Sequence, residues 1–193
     1  MERNILKFKT TARGGGAYDY KEHVWDISQQ LDIETFLQEN PEFAFEQVGQ
    51  ISPSQSKCGF KIDVVPEWQK TERLLYLLVV NNKILKGGKC KNALPSRSYS
   101  AGTEESWTMR GTPSPTNYIW SQIFRKCLKN NVPIQFYCFR APDHHYQYNV
   151  FGENIVIKTS PYEEYEKVLN DKLKKSLGRN PIGEGSLEQQ LKH

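Results

Sequence analysis

A phenol, several amines and a guanidinium crowd one short stretch of this chain. It reads Tyr76-Leu77-Leu78-Val79-Val80-Asn81-Asn82-Lys83-Ile84-Leu85-Lys86-Gly87-Gly88-Lys89-Cys90, and Arg97 follows seven residues later. From Lys83 to Arg97 there are five cations (Lys83, Lys86, Lys89, Lys91 and Arg97) and no acid. Phosphodiester hydrolysis asks for a water made nucleophilic, charge stabilised on the transition state, and help for the leaving oxygen. A hairpin that brings these groups to one place is suited to gripping and cutting a phosphate ester.

Such groups need a scaffold. Arg73 to Val80 is a near-continuous apolar run of strand length, which puts it mid-sheet with both faces covered. Asn81-Asn82 suits a two-residue hairpin turn with positive φ, and Lys83 to Gly87 returns antiparallel. Gly87-Gly88 is expected to turn the backbone sharply and leave room for something large. Gly59 to Val65 alternates, with Phe60, Ile62 and Val64 on one face, and ends at Pro66. Asp32 to Gln38 reads as a short helix with Ile33, Phe36 and Leu37 on one side. Asn92 to Tyr99 reads as another that would present Arg97 outward, followed by a polar loop from Gly102 to Pro115.

The run Gly111 to Thr116 caps a longer helix with Ile119, Trp120, Ile123, Phe124, Cys127 and Leu128 at helical spacing, ended by Asn130-Asn131. Pro133 to Phe139 is a third strand, Arg140 to Gly152 a His- and Tyr-rich loop, and Asn154 to Lys158 a short strand. Ser160 as N-cap, Pro161 at the first position and Gly178 as the stop frame a last helix to about Leu177. The expected class is α+β, a small antiparallel sheet of about three strands flanked by helices.

Composition bounds the rest. The chain has 193 residues, enough for one domain with small additions, and 37% apolar and 12% aromatic residues, enough for a core. Its net charge of +4 permits a polyanionic partner without requiring one. No apolar run is long enough to span a membrane, and Met1-Glu2-Arg3-Asn4 does not open a signal peptide, so a cytoplasmic protein is expected. Cys58, Cys90, Cys127 and Cys138 lie far apart with no C-x-x-C pair, which favours free, mostly buried thiols. Residues 1–20, with Gly14-Gly15-Gly16, read as a mobile arm until Tyr18 and Tyr20.

The ordered set resembles the GIY-YIG nucleases. Leu74-Leu75-Tyr76 stands where that family has Gly-Ile-Tyr, and Lys86-Gly87-Gly88-Lys89 stands where it has Tyr-Ile-Gly-Lys. Arg97 falls at its arginine, and Glu166 in Glu166-Lys167-Val168-Leu169 at the glutamate of its last helix. Lysine in place of the second tyrosine is similar to the branch that contains certain type II restriction endonucleases. The resemblance covers roughly residues 73–181. It implies a catalytic core over 71–181, a 1–70 segment of added elements for DNA contact or dimerisation, and a mobile tail over 182–193.

The implied activity is a metal-dependent DNA endonuclease. Tyr76 would be the general base; its ordinary pKa of about 10 calls for assistance, either from the charge of Lys86 or by a neutral Lys86 taking the proton. Arg97 would fork two phosphate oxygens. Glu166, with Glu163 in reserve, would hold a divalent cation, Mg²⁺ above all, beside several waters. Lys89, Lys91, Arg110, Asn117 and Tyr118 would contact DNA. The implied partners are double-stranded DNA, a second copy of the chain, and a cognate DNA methyltransferase as a genetic partner. Alternatives are a repair, homing or phage nuclease of looser specificity, and a non-catalytic nucleic-acid-binding module. Each residue also has a plainer reading: Tyr76 as core, Lys86 and Lys89 as solvated charges, Arg97 as surface, Glu163 and Glu166 as helix-dipole partners. Adjacent His144 and His145 read as facing different ways and not as a metal pair.

Overall fold

Leu74–Val80 is apolar at every position, and the fold is organised around burying it. The computed structural model describes residues 4–11, 20–56, 59–94 and 115–183. In chain order the elements are β1 (Ile5–Thr11), β2 (Tyr20–Asp26), α1 (Ile33–Glu39), β3 (Glu46–Pro53), β4 (Phe60–Val64), β5 (Leu74–Val80), β6 (Lys83–Cys90), α2 (Pro115–Lys129), β7 (Ile134–Arg140), β8 (His144–Val150), β9 (Glu153–Thr159) and α3 (Tyr162–Leu177). The class is α+β. The central sheet is fully antiparallel, in the order β4-β3-β7-β5-β6, with two-stranded ribbons β1-β2 and β8-β9 outside it.

β5 has hydrogen-bonded neighbours on both sides and helices over both faces. Leu74, Tyr76, Leu78 and Val80 point into one cluster with Trp120, Ile123, Phe124 and Cys127 of α2, capped by Leu6 and Trp25 of the β1-β2 ribbon. Leu75, Leu77 and Val79 point the other way, into Ile33 and Phe36 of α1 and Leu169 and Leu173 of α3. Side chains of this kind stabilise a fold by roughly 1.5–3 kcal/mol each when fully buried, so β5 anchors both layers at once. Asn81 and Asn82 take φ of 49° and 62°, the left-handed pair of a tight hairpin. Asp32 caps α1 by accepting from the Glu34 N–H at 3.0 Å. Gly178 closes α3 at φ 68°.

The structure corrects several expectations. The sheet has five strands, not about three. The strand the sequence pattern hides is β3; β4, expected from Gly59 to Val65, joins the sheet by pairing with it. Gln47 and Gly49 bracket a register shift against β7, so the alternation of β3 breaks in its middle. A Cβ on Gly49 would stand 2.7 Å from the Asp63 carbonyl, so only glycine lets β4 approach there. Within the expected N-terminal arm, Ile5–Thr11 is a strand: β1 pairs with β2, Leu6 and Trp25 are buried, and Trp25 meets Trp120 edge-on at 6.1 Å.

The expected His- and Tyr-rich loop is β8, and it forms a ribbon with β9. α3 starts at Tyr162, one residue later than expected, and no side chain caps it. At the start of the expected tail, Ile182 N–H donates to Gln30 Oε1 at 3.1 Å and Gly183 N–H to the Leu85 carbonyl at 2.7 Å. Cys90, Cys127 and Cys138 are buried thiols outside any disulfide, and burial pushes the Cys127 thiol up to about 12. Cys58 lies outside the described residues. No helix among the described residues is long and apolar enough to cross a membrane.

Candidate active site

β6 is an edge strand, and its two faces carry different chemistry. Register pairs Tyr76 with Gly88, Leu78 with Lys86 and Leu75 with Lys89. Side chains that face each other across an antiparallel pair share a face, and neighbours along a strand alternate. Tyr76 and Lys86 therefore lie on the α2 side of the sheet, as diagonal neighbours. Lys89 lies on the α3 side. A bulge between Leu78 and Val79, with Leu85 as the extra residue, fixes this parity.

The Gly-Gly pair serves both faces. Neither Gly87 nor Gly88 has a positive φ, so the expected sharp corner is extended strand that runs on to Cys90. What the glycines provide is space for this protein's own side chains. A Cβ on Gly88 would sit 2.8 Å from Tyr76 Oη and 2.9 Å from its Cζ. A Cβ on Gly87 would sit 2.8 Å from Leu173 Cδ1 and 3.2 Å from Asn170 Oδ1. Gly88 thus lets the phenol lie across the edge strand, and Gly87 lets α3 dock on its other face.

On the α3 side, Lys89 Nζ lies 3.1 Å from Glu163 Oε1 and 3.2 Å from Glu166 Oε2. The two glutamates are three apart on α3, so they share one side of the helix. The carboxylate of Glu163, then that of Glu166, hold the Lys89 ammonium above its usual pKa. The ammonium also sits 5.9 Å from the Tyr162 ring centroid. The Glu166 side chain is 22% exposed and that of Glu163 is 55% exposed. A site that already attracts a cation between two carboxylates at the rim of the sheet fits a single hard cation that keeps most of its waters. Among the described residues no group of three or more His, Cys, Asp or Glu could hold a metal.

On the α2 side, Tyr76 is fully buried and packs against Phe136 at 6.3 Å between ring centroids. Lys86 is partly buried, with Nζ 3.5 Å from the Gly183 carbonyl. The sequence-derived set is thus drawn to one stretch of β6, with Tyr76 and Lys86 on one face and Lys89, Glu163 and Glu166 on the other. Arg97 and Arg110 lie outside the described residues. Lys91 is exposed just past β6. Asn117 and Tyr118 fall in the first turn of α2. His144 and His145 are exposed neighbours on β8, and His144 stacks on Tyr146.

Sequence reasoning missed two further features. Glu163 grips Lys89 as closely as Glu166 does, a relation the spacing Glu163-x-x-Glu166 on a helix could have signalled. A cavity of about 1100 Å³ between β1 and α2 is lined by Lys7, Arg125, Lys126 and Lys129, with no carboxylate among the described residues. Its helical half was visible as Arg125-Lys126 and Lys129; its other half was hidden by reading β1 as an arm.

Comparison with solved structures adds identity to this geometry. Restriction endonuclease HPY188I, in complex with product DNA, is 30% identical, and the match covers 82% of this chain and 88% of that one at a TM-score of 0.51. The chain belongs to the same family as restriction endonuclease HPY188I. A mutant of bacteriophage T4 EndoII matches 78% of this chain and 97% of that one at 14% identity and a TM-score of 0.50, a likeness of fold alone. No family model matches the chain, and no curated protein sequence matches it.

Proposed function

We propose that this protein is a sequence-specific, metal-dependent DNA endonuclease of the GIY-YIG type, a type II restriction enzyme acting on double-stranded DNA as a homodimer. The observation that carries the reading is the shared family with a restriction endonuclease over most of both chains. The gathering of Tyr76, Lys86, Lys89 and Glu166 along one edge strand supports it. The groups are split across the two faces of that strand, so they would flank one phosphate only at its open rim.

In this reading Tyr76 takes the proton from the attacking water, and Lys86, its diagonal neighbour, stabilises the phenolate. Tyr76 is fully buried, so DNA binding would have to uncover its hydroxyl before water reaches it. Arg97 forks the non-bridging oxygens. Glu166, with Glu163 beside it, would hold a divalent cation such as Mg²⁺, whose charge offsets that developing on the phosphate and the leaving 3′ oxygen. Lys89 and Lys91 with Arg110, Asn117 and Tyr118, and the cationic cleft at Lys7 and Arg125, would follow the DNA backbone.

The test is plasmid cleavage with Mg²⁺ and with chelator, comparing wild type with Tyr76→Phe, Arg97→Ala and Glu166→Ala. Discrete fragments from a complex DNA, lost in all three variants, are expected; full activity in the three would falsify the assignment. A smear in place of fragments marks a nuclease of looser specificity. The burial of Tyr76 favours a second reading, a nucleic-acid-binding module without turnover. Salt-sensitive DNA binding with no cleavage in any metal would establish it.

A further inference from the structure

The β8–β9 ribbon is exposed along nearly its whole length, yet one of its faces is apolar. Register puts Tyr146 opposite Ile157, Tyr148 opposite Ile155 and Val150 opposite Glu153, all on that face. The other face carries His145, Gln147, Asn149, Asn154 and Lys158, interrupted by Val156. Tyr146, Tyr148, Ile155 and Ile157 are 49%, 51%, 44% and 50% exposed, and Val150 is 40% exposed. An isolated two-stranded ribbon is marginal in water, and an apolar row with polar alternates is the pattern of a strand pair with one covered face. No described element of this chain covers it.

Resting on the endonuclease reading, which needs a second centre for the second strand, we propose that two copies of this chain meet through the apolar face of the β8–β9 ribbon. The row ends in Glu153 on one side and in His144 opposite Thr159 on the other, and between them it is free of charge, so its centre opposes an identical row without burying like charges, as a two-fold interface requires. These side chains present on the order of 400–500 Å² of apolar surface, the upper range for a monomer and over half of one partner's share of a standard interface. A duplex backbone offers charged phosphates, which match such a row poorly; the ribbon's Lys158 and His145 face the other way, and His144 stands only at the row's end, stacked on Tyr146.

The ribbon is also tied closely to the candidate site. Only Ala141 to Asp143 separate β7 from β8, and Ser160-Pro161 separate β9 from α3, which carries Glu166. Asp143 Oδ2 holds Lys158 Nζ at 2.8 Å and Arg140 Nη2 at 3.5 Å, clamping the ribbon's base. An interface here sets the spacing and orientation of two edge-strand sites, and with them the stagger of two cuts.

Sedimentation equilibrium of the full chain without DNA, over micromolar concentrations, tests the proposal. Wild type should run at twice the 22.4 kDa chain mass. Tyr148→Glu with Ile157→Glu should run as one chain, with dimerisation weakened at least tenfold and supercoiled plasmid nicked where wild type linearises it. Both positions are exposed in the single chain, and an unchanged far-UV circular dichroism spectrum verifies its fold. Gln147→Glu, on the opposite face, should stay dimeric. A monomeric wild type, or a dimeric double variant, overturns the proposal; a dimeric double variant with weakened DNA retention assigns the ribbon to DNA. A wild type that dimerises through the ribbon but cuts no DNA leaves the interface standing and removes the endonuclease reading. A monomer that cuts does the reverse.

Discussion

Lys89 Nζ lies 3.2 Å from Glu166 Oε2, so the ammonium of the edge strand occupies the carboxylate that would hold a metal. An ammonium and a divalent cation compete for the same oxygens. Lys89→Met should therefore tighten Mg²⁺ binding by roughly three- to tenfold, the scale of one partly exposed ion pair. Glu166→Gln should abolish it. Isothermal titration with MgCl₂ without DNA reads both, and unchanged Mg²⁺ affinity in Lys89→Met would show that the metal binds elsewhere. Because the pair raises the Lys89 pKa, it stays intact from neutrality through the ordinary lysine value and is lost only above it. The Lys89 effect should thus be constant between about pH 7 and 10.

The two glycines of β6 separate fold from chemistry. Gly88→Ala drives a methyl into Tyr76 Oη and Cζ, a ring fixed on its other side by Phe136. Overpacking of this kind costs about 1–3 kcal/mol, and the displaced phenol should lower cleavage by roughly a hundredfold, as misplacement by about an ångström does. Gly87→Ala meets Leu173 Cδ1 and Asn170 Oδ1 of α3 and leaves Tyr76 in place, so its loss of cleavage should be smaller. Urea unfolding and single-turnover cleavage on the two variants measure this. Equal losses in cleavage would mean that Tyr76 has no special role.

What the sequence disclosed follows from how local each signal is. β5 was plain because all seven of its residues are buried, and Asn81-Asn82 because a tight turn has few solutions. α1 and α3 were framed by Asp32 and Gly178. β3 was missed because the shift at Gln47 and Gly49 breaks its period and its partner, β7, follows many residues later. β1 was missed because Gly14-Gly15-Gly16 drew attention from Leu6, whose burial depends on distant Trp25 and Trp120. β8 alternates correctly, but its apolar row has no cover within the described chain to confirm it. The family motif gathered Tyr76, Lys86, Lys89 and Glu166 in order. Their split across two faces depends on register and on the Leu85 bulge, which spacing alone does not encode.

α3 is held to the sheet by few residues. Leu169 and Leu173 are fully buried against Leu75, Leu77 and Val79, while Val168 is about half exposed. Leu169→Ala, one turn from Glu166, removes a buried side chain at about 2–5 kcal/mol. The helix should then hold Glu166 less firmly, so the Mg²⁺ needed for half-maximal cleavage should rise several-fold. Val168→Ala should leave both within about 0.5 kcal/mol of wild type. Thermal unfolding and a Mg²⁺ titration of cleavage check the pair; a metal requirement unmoved by Leu169→Ala would detach Glu166 from metal binding.

Asp143 should govern how the ribbon responds to acid. Its hydrogen bond from Lys158 holds the carboxyl below the usual aspartate value of 3.8, with further lowering from the charges of Lys158, Arg140 and His145. A carboxyl with a lower pKa in the folded state contributes fully above the unfolded value, and the contribution fades as pH falls through the folded one. The clamp should therefore hold at every pH above about 4 and loosen below it. Asp143→Asn should loosen it at neutral pH, because an amide leaves Lys158 and Arg140 without their anion. Hydrogen exchange of the β8 and β9 amides reads this: faster exchange is expected in Asp143→Asn at pH 7, with β5 unchanged. Wild-type ribbon amides already as unprotected as those of the variant would mean that the ion pairs do not hold the ribbon.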